Sequence, residues 1–216
     1  MLEIARDIKE KHFRRLYLLY GSEDYLRRQY RQKLLAALVP EEDTMNMTRF
    51  SGKEADVSAI ISQAETLPFF AERRVILAED TELFKKGSEE LATYLKDLPD
   101  YLVLIFSEKE VDKRTRLFKA ASKAGHAADF SPPDEKTLVR WIRSRFSEEG
   151  KQISGDAAMH LLSSVGTEMS LLDQEMQKLT AWCAGKESVT KGDIDTVCVS
   201  KTENRIFDMI RAITQH

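Results

Sequence analysis

The sequence predicts an α/β domain, built on a mainly parallel sheet with helices on both faces, followed by a small helical domain. Three observations predict this class. Through residue 130, short apolar runs of strand length alternate with longer amphipathic segments. The apolar runs are nearly continuous, which is typical of strands that are covered on both faces. Beyond residue 134, apolar residues recur only at helical spacing.

Five apolar runs are predicted as strands. The first is ended by Gly21 and Ser22, and the fourth, near Leu104, is the clearest strand of the chain. Because these runs alternate with segments of helix length, they favour βαβ units and a parallel sheet. The predicted strands are Leu16–Tyr20, Met45–Phe50, Arg74–Ala78, Tyr101–Phe106 and Ala127–Phe130.

Four helices are predicted between these strands. Apolar residues recur at helical spacing from Tyr25 to Leu38, and Ser88 is suited to cap a helix that reaches Lys96. The segment before the last strand predicts a basic helix. The four predicted ranges are 25–38, 57–67, 88–96 and 113–124.

A domain boundary is predicted at residues 131–134, which read Ser-Pro-Pro-Asp, because proline and the residue before it both disfavour helix. We predict a first domain over 1–133 and a helical domain over 134–200, in which Gly150, Gly166 and Gly185 end helices and Thr190 caps a short fourth one. Residues 205–213 begin another amphipathic helix. A bare helix this short is marginal in water, so we expect the chain to be a fragment of a longer protein.

Composition excludes several classes of protein. The net charge is −3, with 42% apolar and 32% charged residues, which argues against a basic free-standing nucleic-acid binder and against a disordered chain. The longest apolar runs are far shorter than the roughly 20 residues of a membrane span, so no membrane partner is expected. Cys183 and Cys198 form neither a disulfide framework nor a zinc motif, and we expect a cytoplasmic protein.

The loop after the first strand is where a sheet of this type holds nucleotide phosphates. Such a loop needs two glycines followed by lysine and a hydroxyl residue. Residues 21–26 contain one glycine, no lysine and the two carboxylates of Glu23 and Asp24, which would repel phosphate. The sequence therefore predicts that ATP is not bound there.

No catalytic set is found in the sequence, and we expect no metal and no cofactor. Glu79 and Asp80 follow a buried strand and superficially resemble a Mg²⁺-holding element, but without a phosphate loop an acidic loop is the favoured interpretation. The histidines are far apart, and no hydrolase or zinc motif includes them. They are His12, His126, His160 and His216.

Two features are typical of binding surfaces. Leu67-Pro68-Phe69-Phe70 places two adjacent aromatic residues between a helix and a strand, although the residue types alone favour packing against their own domain. The second feature is a basic cluster, for which a solvated face is the favoured interpretation and a DNA contact the other. It consists of Lys109, Lys113, Arg114, Arg116, Lys119 and Lys123.

Five motifs together resemble the delta subunit of the bacterial DNA polymerase III clamp loader. Each motif is short, but the five extend over nearly the whole chain in the order of that family. They are Leu16–Leu26; Leu67–Phe70 with Arg73 and Arg74; Val111–Thr115; Val165 and Gly166 with Leu171, Leu172, Glu175, Lys178 and Leu179; and Glu203–Phe207.

The resemblance implies a first domain of the AAA+ (RecA-like) type without a functional phosphate loop, a helical lid, and the start of a truncated collar domain over 201–216. It implies a subunit of the DNA polymerase holoenzyme that binds and opens the ring-shaped sliding clamp during replication and does not itself hydrolyse ATP. The family's clamp-binding motif maps onto Leu67, Pro68, Phe69 and Phe70, which reverses the preference for packing within the domain.

The implied partners are the sliding clamp and the other loader subunits, the latter mainly through the collar. DNA is expected only within the assembled complex, and the fragment itself is expected to be monomeric. Two alternatives stay open. An active AAA+ ATPase with a divergent phosphate loop predicts tight ATP binding, whereas a stand-alone DNA-binding module predicts steep loss of DNA affinity with salt and is disfavoured by the charge.

Overall fold

The computed structural model describes residues 2–40, 43 and 45–198. Contacts within this part of the chain divide it into two compact units, and the division along the sequence lies between Pro132 and Pro133. The helix predicted over 205–213 and the start of the collar over 201–216 lie outside the described residues. Within those residues, no helix has the length and apolar character needed to cross a membrane.

The first unit is built on a five-stranded sheet in which every pair of neighbouring strands is parallel, as predicted. Its spatial order is β2-β3-β4-β1-β5, so the first strand in sequence lies near the middle. The strands are β1 (Leu16–Tyr20), β2 (Met47–Ser51), β3 (Arg74–Glu79), β4 (Leu102–Glu108) and β5 (His126–Asp129). All residues of β1 and β4 are buried, which explains their continuous apolar runs.

Helices cover both faces of this sheet. Alternation along β1 sends Leu16 and Leu18 into one apolar cluster and Tyr17 and Leu19 into another, because successive strand side chains point to opposite faces. The first cluster includes residues of α3 (Val57–Ala64), α5 (Glu89–Tyr94) and α6 (Arg116–Ala124). The second includes residues of α1 (Leu2–Glu10) and α2 (Asp24–Leu38), and α4 (Leu83–Lys86) is a single short turn.

Three details of the first unit differ from the sequence prediction. The helix α1 was not predicted, because its sequence is dense in charge. The basic helix begins at Arg116 rather than at 113, because the hydroxyl of Thr115 accepts the N–H of Phe118 at 3.2 Å and caps the helix there. The helix predicted to reach residue 67 ends at Ala64, which leaves the Leu67–Phe70 segment in a longer loop.

Within the described residues, the second unit contains four helices, and three of them begin at a side-chain cap. Side chains of Asp134, Ser154 and Thr190 cap the first, second and fourth helices. The prediction of an entirely helical unit is wrong in one respect, since two strands of two residues pair in parallel and are too short to show a periodicity. The elements are α7 (Glu135–Glu148), β6 (Gln152–Ile153), α8 (Gly155–Val165), α9 (Met169–Trp182), β7 (Ser188–Val189) and α10 (Lys191–Val197).

Candidate functional site

The loop between α3 and β3 presents two aromatic rings to solvent. Phe70 is 95% exposed and Phe69 is 54% exposed, and the neighbouring Leu67 is also exposed. The two phenylalanine rings contact each other edge to face, with centroids 4.5 Å apart and planes at 83°. Packing against their own domain, which the residue types alone favoured, is therefore wrong for Phe70.

The backbone of Phe69 is held by one buried side-chain amide. Asn46, which is 4% exposed, accepts the N–H of Phe69 through Oδ1 at 2.6 Å. Its Nδ2 donates to the carbonyl oxygen of Phe69 at 2.9 Å. The amide thus pairs with both backbone groups of one loop residue, as a neighbouring strand would. Sequence reasoning missed Asn46, since a single asparagine inside the strand predicted over 45–50 carries no local pattern.

The loop and Asn46 are also tied to the edge of the sheet through Arg74, the first residue of β3. Its buried guanidinium donates to the carbonyl oxygen of Met45 at 2.5 Å and to Thr48 Oγ1 at 2.8 Å. It donates to Gln63 Oε1 at 2.5 Å as well, which brings the end of α3 into the same network. The aromatic pair therefore projects from a loop whose two ends are anchored.

An open groove of about 430 Å³ adjoins the aromatic pair, and Phe70 forms part of its wall. Phe13, Leu38 and Pro40 supply apolar surface to it. The guanidinium carbon of Arg73 lies 5.0 Å from the centre of the Phe13 ring, which is the geometry of a cation–π contact. The exposed rings therefore continue into a surface that is partly apolar and partly charged, with residues of both signs.

The loop after β1 is closed by contacts within the domain. The N–H of Gly21 donates to the carbonyl oxygen of Glu108 at 3.1 Å, and that of Glu23 donates to the carbonyl oxygen of Phe130 at 2.8 Å. A phosphate loop needs its backbone N–H groups aimed at the ligand. Here two of them are directed at neighbouring segments of the sheet.

The beginning of α2 carries the chain's own anions where a phosphate would bind. The carboxylate of Glu23 accepts the N–H of Tyr25 at 3.1 Å. Arg27, a buried residue, donates to Asp24 at 2.8 Å and to the carbonyl oxygen of Gly21. The helix terminus, which favours negative charge, thus has carboxylates of its own.

A cleft of about 420 Å³ lies at the carboxyl ends of the strands and includes Asp24, Arg27, Asp80 and Glu108 in its lining. Asp80 Oδ1 lies 3.8 Å from a nitrogen of Arg27, and Glu79 is paired with Arg31. The two acidic residues after β3 are thus engaged by arginines. The described residues include no group of three or more side chains that is arranged to hold a metal ion.

The histidines, the basic cluster and the two cysteines that the sequence analysis considered have the following surroundings. His160 Nε2 is 2.6 Å from Asp195 Oδ1, and His126 Nδ1 is 3.0 Å from Glu3. All six residues of the basic cluster are exposed, and three of them form ion pairs: Lys113 with Asp129, Arg114 with Asp112, and Arg116 with Glu89. Cys183 and Cys198 are free cysteines. His12 is exposed, and His216 lies outside the described residues.

Comparisons with known proteins identify relatives of this chain. The family model described as DNA polymerase III, delta subunit, matches residues 17–130, which include nearly all of the five-stranded sheet. The DNA polymerase III subunit delta of Bacillus subtilis is 25% identical over 225 residues, which cover 99% of this chain and 65% of that protein. A probable DNA polymerase III subunit delta of Aquifex aeolicus is 22% identical over 209 residues, covering 91% of this chain and 58% of that protein. The chain therefore spans less than two thirds of the length of either relative.

Solved structures show the same fold. The Bacillus subtilis DNA clamp loader delta protein superposes with a TM-score of 0.77 at 24% identity, covering 99% of this chain and 67% of that one. A RuvB variant of Thermotoga maritima has a TM-score of 0.50 at 13% identity, covering 99% of this chain and 74% of that one. The α/β fold is therefore that of the clamp-loader delta protein and of the AAA+ protein RuvB, as the sequence indicated.

Proposed function

This chain belongs to the DNA polymerase III delta-subunit family, and on that premise we propose that it binds the ring-shaped sliding clamp and helps to open it. The observation that carries the proposal is the aromatic pair, with Phe70 at 95% exposure and Phe69 beside it. An exposed pair of large apolar rings on an anchored loop is typical of an interface anchor. Leu67 and Pro68 precede the rings and belong to the same proposed contact.

In this proposal, the clamp provides an apolar pocket for the two rings. Complete burial of a phenylalanine side chain contributes about 1.5–3 kcal/mol. Binding favours the open ring only by the difference in affinity between the open and closed states. The subunit therefore favours opening of the clamp if its docking surface binds the clamp more tightly when one interface of the ring is open than when the ring is closed.

We also propose that the subunit does not hydrolyse ATP and is not an enzyme by itself. The support is the closed loop after β1, where the N–H groups of Gly21 and Glu23 donate to carbonyl oxygens of Glu108 and Phe130. The carboxylates of Glu23 and Asp24 lie at the beginning of α2, where nucleotide phosphates would meet repulsion.

The alternative function is an active AAA+ ATPase with a divergent phosphate loop. Isothermal titration with ATP and Mg²⁺ separates the two proposals. Our proposal expects no saturable heat of binding, whereas tight binding that is lost on substitution within 21–26 would favour the ATPase.

The remaining partners follow from the same family membership. We propose that residues 134–200 act as a lid domain and that 201–216 begin a collar through which other clamp-loader subunits assemble. DNA would then be contacted within the assembled complex, and this chain alone would be monomeric. Sedimentation of the chain with and without the clamp tests the association state.

The main test is the affinity of the Phe69→Ala, Phe70→Ala double variant for the sliding clamp of the same organism. Loss of two apolar anchors should weaken binding at least tenfold, or about 1.4 kcal/mol. Trp182→Ala is a matched control, because it also removes an exposed aromatic ring, 57% exposed, from another unit of the chain. Unchanged affinity in a folded double variant would contradict the assignment.

A further inference from the structure

We propose that Asn46 is the positioning residue of the docking loop, by which we mean the segment between α3 and β3 that carries Leu67–Phe70. Asn46 holds Phe69 and Phe70 in the conformation that enters the clamp. This inference rests on the proposed function of the two phenylalanines. It extends that function to a residue that need not contact the clamp itself. Asn46 is separated from Phe69 by 22 intervening residues and lies immediately before β2.

The first support is the two-point contact with Phe69. One amide both accepts from the N–H, at 2.6 Å, and donates to the carbonyl oxygen, at 2.9 Å. Two contacts on opposite sides of one residue fix the rotation of the loop backbone at that residue, which a single hydrogen bond does not. The amide is itself buried, so water competes poorly for its groups.

The second support is Asp43, which selects the orientation of the Asn46 amide. Its carboxylate oxygens lie 3.0 and 2.8 Å from Asn46 Nδ2 and accept the N–H groups of Met45 and Asn46 at 3.1 and 3.0 Å. Hydrogen bonds from Asn46 hold the pKa of Asp43 below its usual range, so the group is an ionised acceptor at neutral pH. Because the Asp43 carboxylate only accepts hydrogen bonds, the Asn46 amide must turn its Nδ2 toward Asp43. Its Oδ1 is then left to accept the N–H of Phe69.

The third support is the backbone of Phe70, which has a φ of +50°. A residue with a bulky side chain rarely adopts this left-handed conformation. Asn46 is hydrogen-bonded to Phe69, the residue immediately before Phe70. These two hydrogen bonds can therefore hold Phe70 at a positive φ that an unrestrained loop would not keep. The two rings would then lose less conformational freedom when they bind, and affinity would rise without any direct contact from Asn46.

The test combines clamp affinity with amide hydrogen exchange in the full chain. Asn46→Ala should weaken clamp binding about tenfold through lost hydrogen bonds and loop order. It should accelerate exchange of the Phe69 N–H while the amides of β3 and β4 stay protected. Gln29→Ala is the matched control, because it removes a side-chain amide that donates to Tyr25 within α2 and should change neither readout.

A charge exchange tests the orientation directly. Asn46→Asp places a carboxylate against Asp43 and should weaken binding more than Asn46→Ala does. Adding Asp43→Asn restores a donor between the two side chains and an acceptor for the Phe69 N–H. The double exchange should therefore recover part of the lost affinity and of the Phe69 protection.

Coupling between sites separates positioning from general stability. In the background of Phe69→Ala, Phe70→Ala, the Asn46→Ala substitution should cause no further loss of clamp affinity. An equal loss in both backgrounds would overturn the proposal, as would normal Phe69 exchange in Asn46→Ala. If the phenylalanine variants bind the clamp normally, the proposed function and the docking role of Asn46 both fail, whereas fast Phe69 exchange would still identify Asn46 as the residue that orders the loop.

Discussion

The buried carboxylate of Glu108, at the end of β4, accepts the backbone N–H of Thr81 at 3.1 Å. It also accepts the hydroxyl of Thr81 and, at 3.1 Å, the N–H of Glu82. Asp80 and Glu82, on either side of Thr81, have φ values of +50° and +58°. One carboxylate therefore ties together a turn whose backbone is in an uncommon conformation.

We expect Glu108→Gln to lower the free energy of unfolding by about 1–3 kcal/mol, because one acceptor oxygen becomes an amide that only donates. The change is measured as a shift of the urea midpoint with the slope unchanged. Replacement with no loss of stability would contradict the role of the carboxylate in holding the turn.

The stability should also depend on pH through Glu108. Burial raises the pKa of Glu108 above its unfolded value, so the native state holds the proton more tightly. The contribution of Glu108 to the free energy of unfolding therefore falls as pH rises through the interval between the two pKa values. Urea unfolding at several pH values should show this contribution as the difference in pH dependence between the natural protein and Glu108→Gln. Glu110→Gln is the control. Lys85 lowers the pKa of Glu110, so the contribution of Glu110 to the free energy of unfolding rises with pH, and its removal should change the pH dependence in the opposite direction.

We expect Gly21→Ala to destabilise the first unit strongly. A Cβ at Gly21 would lie 2.4 Å from the carbonyl oxygen of Phe130, and the residue has a φ of +131°. The expected loss is more than about 2 kcal/mol in free energy of unfolding, because backbone rather than a flexible side chain blocks the new atom.

Gly52→Ala is the control for that substitution. Gly52 also has a positive φ, +84°, but no atom lies within 4 Å of the added Cβ. Its loss should be only about 1 kcal/mol, which is the cost of the left-handed backbone. Equal losses for the two variants would show that the close approach to Phe130 does not matter.

The helix α1 should depend on the hydroxyl of Tyr17. This buried hydroxyl donates to Asp7 at 3.0 Å and accepts the N–H of Arg14 at 3.0 Å. Tyr17→Phe should cost about 1–2 kcal/mol and accelerate amide exchange in α1, because the buried Asp7 carboxylate loses this donor while its contact with Arg14 remains. Tyr101→Phe removes an exposed hydrogen bond to Glu65 and should cost less than about 0.5 kcal/mol.

The short helix α10 should depend on Thr190, the capping residue that precedes it. Thr190 Oγ1 accepts the N–H of Asp193 at 3.3 Å, and the Asp193 carboxylate accepts the N–H of Thr190 at 3.0 Å. Thr190→Ala should lower the stability of the second unit by about 1 kcal/mol, measured by amide exchange in α10. Thr196→Ala, at the other end of the helix, is the control and should leave exchange at the first turn unchanged.

Local patterns predicted most of the elements because their causes are local. The apolar run of β1 and the Pro132-Pro133 break each depend on neighbouring residues, and so does the cap at Ser154. The sequence of residues 21–26 shows that this loop lacks the second glycine and the lysine of a phosphate loop. The helix α1 could not be predicted, since its many charged residues mask the apolar face. The strands β6 and β7 could not be predicted either, since each is too short to show a periodicity.

The candidate site was predicted only in part. The sequence by itself determined the parallel α/β class, the order of the five strands of the first unit along the chain, and the motif Leu67–Phe70. Only the tertiary structure decided that Phe70 projects into solvent, that Asn46 grips Phe69, and that Gly21 is needed for its approach to Phe130. The physical reason is distance along the chain. The contacts of Asn46 with Phe69 and of Gly21 with Phe130 join separate segments, and the exposure of Phe70 depends on what packs around its loop, so none of them leaves a periodic signal in the sequence.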